Sequence, residues 1–292
     1  VLLRDIKSGK GTPEMQKQLE TLQESYQSDL RRASGEVTPE ELAKEDDDAT
    51  AKYEAYTASE GHEFPTGEAK YSLDDLKSST ATREVNGYTI CLDKTLGAGQ
   101  MGEIVAGYNT ATGQVVAFKR VNQEEQEHIA RTNNYPEGVT DLEDIIKAET
   151  DNPTLGVYRD KIEQDGELIK VYDLQGQDLD SYIRENGKLP PKQSLDVVIQ
   201  TVKALRDLHK IGIVHLDVSP MNILTTKDGI RLTDFHVASV QNGNNNNYSR
   251  GFVGGLRWML PPELFKESPV IDESSDTFEA SILLYRAVTG KY

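Results

Sequence analysis

Two carboxylates and a carboxamide, Asp217, Asn222 and Asp234, follow one another at intervals of five and twelve residues. The two apolar runs between Asn222 and Asp234, Ile223-Leu224-Thr225-Thr226 and Ile230-Arg231-Leu232-Thr233, flank Lys227-Asp228-Gly229. An Asp-Gly pair between β-prone runs is a strong hairpin signal. The hairpin returns the chain to its starting point, so all three side chains converge at one end. Such a set of hard oxygens suits Mg²⁺ carrying a phosphate better than it suits zinc.

A second chemical signal lies upstream. A strand over Tyr88–Leu96 leads into Gly97-Ala98-Gly99-Gln100-Met101-Gly102. After another strand and a turn at Asn109-Thr110-Ala111-Thr112-Gly113 comes a third strand, Val115-Val116-Ala117-Phe118-Lys119. G-x-G-x-x-G also marks dinucleotide sites, but there it opens a helix within a βαβ unit. Here strands and a turn follow, which excludes that reading. Glycines without Cβ let a loop backbone approach phosphates.

These motifs resemble the eukaryotic-type protein kinases, whose H-R-D-x-x-x-x-N and D-F-G read here as His215-Leu216-Asp217 with Asn222, and Asp234-Phe235-His236. The resemblance covers about residues 87–292. It implies an α+β, two-lobed protein kinase-like fold with a helical N-terminal extension. It implies ATP and Mg²⁺, with Mn²⁺ as the alternative metal, and transfer of the γ-phosphoryl group to a protein hydroxyl, Ser or Thr ahead of Tyr. Two other readings are a pseudokinase binding module acting through its extension, and a kinase-fold enzyme with a non-protein substrate or AMP transfer.

By the same resemblance, Asp217 takes the proton of the attacking hydroxyl, and Asn222 and Asp234 hold the metal. Gly97, Gly99 and Gly102 cover the phosphates, and Lys119 binds them. Leu96, Ile104, Ala117 and Leu224 wall the adenine pocket, while Asp173 and Leu174 offer hinge backbone to adenine. Either Val171 or Tyr172 guards the back of that pocket. Glu143 is the expected carboxylate partner of Lys119, with Glu149 and Glu137 as alternatives, although Thr140 and Glu143 also fit a capping box. Lys147 stands where the family has an apolar residue against the Phe of the metal motif. His215 is expected to be a core histidine under that motif, and Asp276 to brace the catalytic-loop backbone.

Three departures from the family pattern matter, at Leu216, at Ser219 together with Leu256, and at His236. Leu216 replaces the Arg that reads an activation-loop phosphate, which implies activity independent of such phosphorylation. Ser219 replaces a Lys beside the catalytic Asp. Leu256 stands roughly where a Thr reaches toward the same site, and Arg257 or a partner's arginine are candidate replacements for the missing charge. His236 replaces the glycine of D-F-G and restricts that segment. In the loop that follows, Tyr248 and Ser249 are exposed hydroxyls, and Pro261-Pro262-Glu263 resembles A-P-E.

The elements that must position these groups follow from periodicity. Leu168–Leu174 reads as a buried strand, and Asp178–Asn186 as a helix. A long helix after Leu189-Pro190-Pro191 carries Leu195, Val198, Ile199, Val202, Leu205 and Leu208 on one face. The kinase-like domain spans 87–292, divided into an N-lobe (87–174) and a shortened C-lobe (175–292). Residues 1–86 form an acidic extension with 11 basic and 19 acidic residues. Two helices are expected there, starting at Thr12-Pro13 and Thr38-Pro39, with a linker over 60–84. The extension reads as docked helices, a solvated arm or the site of a regulatory protein partner.

The 292 residues carry a net charge of −17, which argues against a nucleic-acid partner. No apolar run is long enough for a membrane span. The single cysteine, Cys91, excludes an internal disulfide framework and fits a reducing compartment. The expected location is cytoplasmic. The short domain, atypical catalytic loop and acidic arm also resemble bacterial effectors secreted into a host cytosol.

Overall fold

The computed structural model describes residues 69–99, 102–122, 127, 130–131, 135, 137–164, 166–174, 176–240, 259–262 and 272–291. The two helices expected before residue 60 lie outside these, as do Tyr248, Ser249, Leu256, Arg257 and Glu263.

Helix α1 (Leu73–Lys77) and strand β1 (Thr82–Val85) stand where the linker over 60–84 is expected. Both have local causes. Ser72 and Asp75 form a reciprocal capping box, and the Asn86-Gly87 pair takes positive φ at both positions, as a tight hairpin turn requires. Leu76 of α1 is fully buried and packs with Cys91. Cys91 is fully buried, and its thiol donates to Leu76 O.

Strands β2 (Tyr88–Gly99), β3 (Gly102–Asn109) and β4 (Val115–Val121) follow, then α2 (Leu142–Glu149), β5 (Asp160–Gln164) and β6 (Glu167–Asp173). They form an antiparallel sheet in the order β1-β2-β3-β4-β6-β5. β2 and β3 stay paired up to Gly99 opposite Gly102. Val85, Ile90, Val105, Val116, Phe118, Ile162, Ile169 and Val171 fill the core of this sheet. Gly107 is obligatory there, since a Cβ would lie 2.1 Å from Thr89 O and 2.6 Å from the Phe118 ring.

The rest is mainly helical: α3 (Leu179–Asn186), α4 (Pro191–Lys210) and α5 (Glu273–Thr289), with the short strands β7 (Ile213–Val214), β8 (Ile223–Thr226), β9 (Gly229–Leu232) and β10 (Ser239–Val240). α4 buries Ser194, Val197, Thr201, Ala204, Leu205 and Leu208. The face differs from the expected one, because Leu195 and Val202 are exposed. Its contact stripe runs 194, 197, 201, 204, 208, which keeps helical spacing but is rotated from the apolar count, with Ser and Thr supplying small contacts. The Ser194 and Thr201 hydroxyls donate to carbonyls one turn back, which removes the cost of burying them.

The β8–β9 hairpin forms as expected, with Ile223 opposite Leu232 and Thr226 opposite Gly229. Its base is strapped by the segment Thr154–Gly156: Leu232 N–H donates to Thr154 O, and Gly156 N–H to Leu232 O. A Cβ on Gly156 would meet Thr233 Cγ2 at 2.5 Å, so the strap depends on this glycine.

Candidate active site

The hairpin base brings Asp217, Asn222 and Asp234 together. Asn222 Nδ2 donates to Asp217 Oδ2 (2.7 Å) and to Asp217 O (2.9 Å). Asn222 O accepts from Thr233 N (2.9 Å), which fixes the start of β8 beside the residue preceding Asp234. Lys119 Nζ lies 3.7 Å from Asp234 Oδ1, and His236 Nδ1 bonds the same oxygen. Leu216 (φ 63°) and Asp234 (φ 69°) both occupy left-handed backbone. That conformation is costly for a residue with a Cβ and persists where surrounding bonds hold it.

For Leu216 those bonds come from α5. Asp276 is fully buried and accepts the His215 N–H (2.9 Å) and the Leu216 N–H (2.8 Å). His209 Nε2 lies 2.7 Å from the same carboxylate. Asp276 thus braces the loop as expected. Glu279, one turn later on α5, accepts the Val218 N–H at 2.7 Å. The sequence reading missed Glu279. Its place one helical turn from Asp276 was the available signal.

His215 is a buried core residue, as expected. Its ring meets Phe235 edge-on at 5.2 Å. Nδ1 accepts the Asp217 N–H (3.2 Å), which puts the ring proton on Nε2, aimed at Thr233 O (3.2 Å). Burial holds its pKa below the usual histidine value.

The two carboxylates are poised differently. Burial pushes the Asp217 pKa up, against the opposing effects of His215 and the Asn222 hydrogen bond. Asp234 is also buried, but the His236 hydrogen bond and the Lys119 charge outweigh that and hold it well below the usual carboxylate range. Asp234 is therefore ionised at neutral pH, as a metal ligand must be. An ionised carboxylate beside a carboxamide is an oxygen-rich donor set that fits Mg²⁺, which takes one or two carboxylates and keeps its other positions for water and phosphate.

Of the residues expected to wall the nucleotide, Leu96, Ile104 and Ala117 lie on the sheet and Leu224 in β8. Ala117 is buried, and Leu96, Ile104, Leu174 and Leu224 are half-buried. Gly97 has open space where a Cβ would stand. Tyr172 lies opposite Ala117 in the β4–β6 ladder, so the two share a face. That register puts Tyr172 on the face of Ala117 and Val171 in the sheet core. The Asp173 side chain turns away to pair with Arg159 and Gln114.

Glu143 departs from expectation. Its carboxylate does not meet Lys119. Oε1 accepts from Lys170 Nζ (2.7 Å) and Tyr172 OH (2.8 Å), and Oε2 accepts from Tyr158 N (2.9 Å). Nor is Glu143 in a capping box, because the N-cap of α2 is Asp141 rather than Thr140. A cap one residue later turns Glu143 from the helix end toward the sheet. The alternatives Glu137 and Glu149 are exposed. Lys147 reaches Arg159 O and covers the Tyr158 ring, while Ile146 shares the buried cluster that contains Phe235.

Lys119, Asp141, Glu143, Lys170, Asp234, Phe235 and His236 line one recess. The model for the protein kinase domain matches residues 91–292. The chain is 28% identical over 206 residues to "Probable serine/threonine-protein kinase PknB" of Corynebacterium glutamicum, covering 68% of this chain and 31% of that protein. It is 30% identical over 243 residues to "Protein kinase kin1" of Schizosaccharomyces pombe, covering 78% and 26%. "Probable serine/threonine-protein kinase CA_C1728" of Clostridium acetobutylicum is 38% identical over 117 residues, covering 40% and 18%. The chain thus spans less than a third of the length of these relatives. Among the described residues, no helix is long and apolar enough to cross a membrane.

Proposed function

The chain belongs to the protein kinase family, and on that premise we propose that it transfers the γ-phosphoryl group of ATP to a Ser or Thr hydroxyl of a protein. The observation that carries this reading is the convergence of Asp217, Asn222, Asp234 and Lys119 on one hairpin base. Asp217 accepts the hydroxyl proton as the new oxygen–phosphorus bond forms and the bond to ADP breaks. Its raised pKa favours that acceptance. Lys119 places a positive charge beside the phosphates, and the hairpin at Gly97–Gly102 covers them. When bound, Mg²⁺ held by Asn222 and Asp234 neutralises charge on the phosphate oxygens. Positioning and fixed charge supply most of the acceleration.

The test is incubation with γ-labelled ATP, Mg²⁺ and a generic protein acceptor. Label that Asp217→Ala and Asp234→Ala each reduce by about 10²-fold or more supports phosphoryl transfer. Label retained by both variants overturns the assignment of these residues. Mass spectrometry of the product separates phosphate from AMP. Leu216 in place of the phosphate-reading Arg leads to a second expectation: phosphatase treatment leaves the rate in place, and a large loss contradicts it.

A further inference from the structure

Lys170 is an unusual residue for the centre of a sheet. It is 5% exposed, on β6, directly opposite Lys119 of β4. Cross-strand partners share a face, so two ammonium groups are held side by side, which is unfavourable unless anions separate them. The anions come from the first turn of α2. Lys170 Nζ lies 2.7 Å from Glu143 Oε1 and 2.7 Å from Oδ2 of Asp141, the N-cap. Burial works to lower the Lys170 pKa, but Glu143 and Asp141 outweigh it and raise it. Lys161, 3.5 Å from Asp141, and Asp144, 2.7 Å from Lys161, extend the cluster outward.

We propose that Lys170 is the positioning residue that seats Glu143 and fixes α2, so that Lys119 is left to the phosphates and Asp234. The proposal rests on the phosphoryl-transfer reading for its catalytic consequence. Its structural part stands on geometry. Lys170, Tyr172 and the Tyr158 N–H all bind the Glu143 carboxylate. Moving Glu143 to Lys119 would leave the buried Lys170 with Asp141 alone and would give up the Glu143 hydrogen bonds to Tyr172 OH and the Tyr158 N–H. Lys119, with its side chain 20% exposed, instead faces Asp234.

Three readouts test this on Lys119→Met, Lys170→Met and Lys170→Arg: amide hydrogen exchange of residues 142–149, affinity for a fluorescent ATP analogue, and kcat against KM for ATP. Lys119→Met is expected to weaken the analogue about tenfold or more while exchange in α2 stays as in the parent. Lys170→Met is expected to speed that exchange about tenfold and lower kcat at least as much, with analogue affinity within about threefold of the parent. Lys170→Arg, which keeps the charge, should recover most of both. If Lys170→Met does not fold, a Lys170→Met/Glu143→Met double variant carries the test, with the same faster exchange and unchanged affinity expected. Faster α2 exchange in Lys119→Met but not in the Lys170 variants overturns the proposal. So does a loss of analogue affinity in Lys170→Met as large as in Lys119→Met, which would make Lys170 a phosphate ligand. Exchange and analogue binding are read without turnover. A parent protein that transfers no label therefore defeats the phosphoryl-transfer reading and leaves this test intact.

Discussion

Glu143 on α2 and Glu279 on α5 are both buried, 8% and 1% exposed, and each accepts a backbone N–H that helps shape the site. They differ in what surrounds them. Glu143 has a cation at 2.7 Å and a phenol at 2.8 Å. Glu279 is hydrogen-bonded by the Val218 N–H, and the charges recorded around it, Asp276 and Asp217, are negative. Burial, strengthened by those two acids, pushes its pKa up to about 8. A buried carboxylate is thus used in two ways here: as an anchor for a buried cation, and as a neutral acceptor close to Asp217. The first resists loss of either partner, whereas the second should respond to pH.

The largest effect expected from this contrast lies at the Lys170 cluster. Lys170→Met should cost about 3–5 kcal/mol in urea unfolding, because Asp141 and Glu143 lose their shared cation. Adding Glu143→Met should return part of that loss, and a double-mutant cycle measures how much. Purely additive losses would mean that the two side chains do not act as a pair.

Glu279 should show the next largest effect, and with a pH signature. Between its unfolded value of 4.5 and its folded value of about 8, the folded protein keeps a proton that the unfolded chain has released. The folded state then binds more protons, so stability falls as pH rises through this window, by at most ~1.4 kcal/mol per unit. Glu279→Gln keeps an acceptor for Val218 N–H and removes the ionisation. Its melting temperature should gain on the parent from pH 5 to pH 8 and level off above that. A gap that does not change with pH would mean Glu279 is not proton-linked to folding.

The smallest effect belongs at the surface. Arg120, 66% exposed in its side chain, pairs with Glu167 at the edge of the cluster's own strands. Arg120→Ala should cost about 0–1 kcal/mol, falling further in salt. A cost comparable to that of Lys170→Met would remove the distinction between buried and exposed pairs on this sheet.

The convergence of side chains at the hairpin base was legible in sequence because it is local. Asp217, Asn222 and Asp234 are tied by a short loop and one turn, and the Asp-Gly signal places both. His215 and Asp276 were legible by resemblance. The partner of Glu143 was not, for two physical reasons. Thr140 and Asp141 are both good N-caps, and the choice between them turns the following glutamate by one helical position. The register of β4 against β6 then decides which lysine faces α2, and a strand's register depends on its neighbours rather than its own residues. In Leu168–Leu174, Lys170 reads as one polar residue in an apolar run. The buried face of α4 was misjudged for a similar reason, since Ser194 and Thr201 pack inward while Leu195 and Val202 stay exposed. Ahead of β2, α1 and β1 were readable after all, from Ser72-x-x-Asp75 and Asn86-Gly87.

The mutual dependence of Lys170, Asp141 and Glu143 also bears on how this sequence can change over generations. Replacing Lys170 by an apolar residue leaves the Asp141 and Glu143 carboxylates inside the protein without their shared cation, while replacing Lys170 and Glu143 together removes part of that conflict. Loss of Lys170 alone therefore passes through a poorly folded intermediate. Descendants of this chain should lose Lys170 only together with an acid of the cluster, and drift freely at Arg120 and Glu167 on the surface of the same strands.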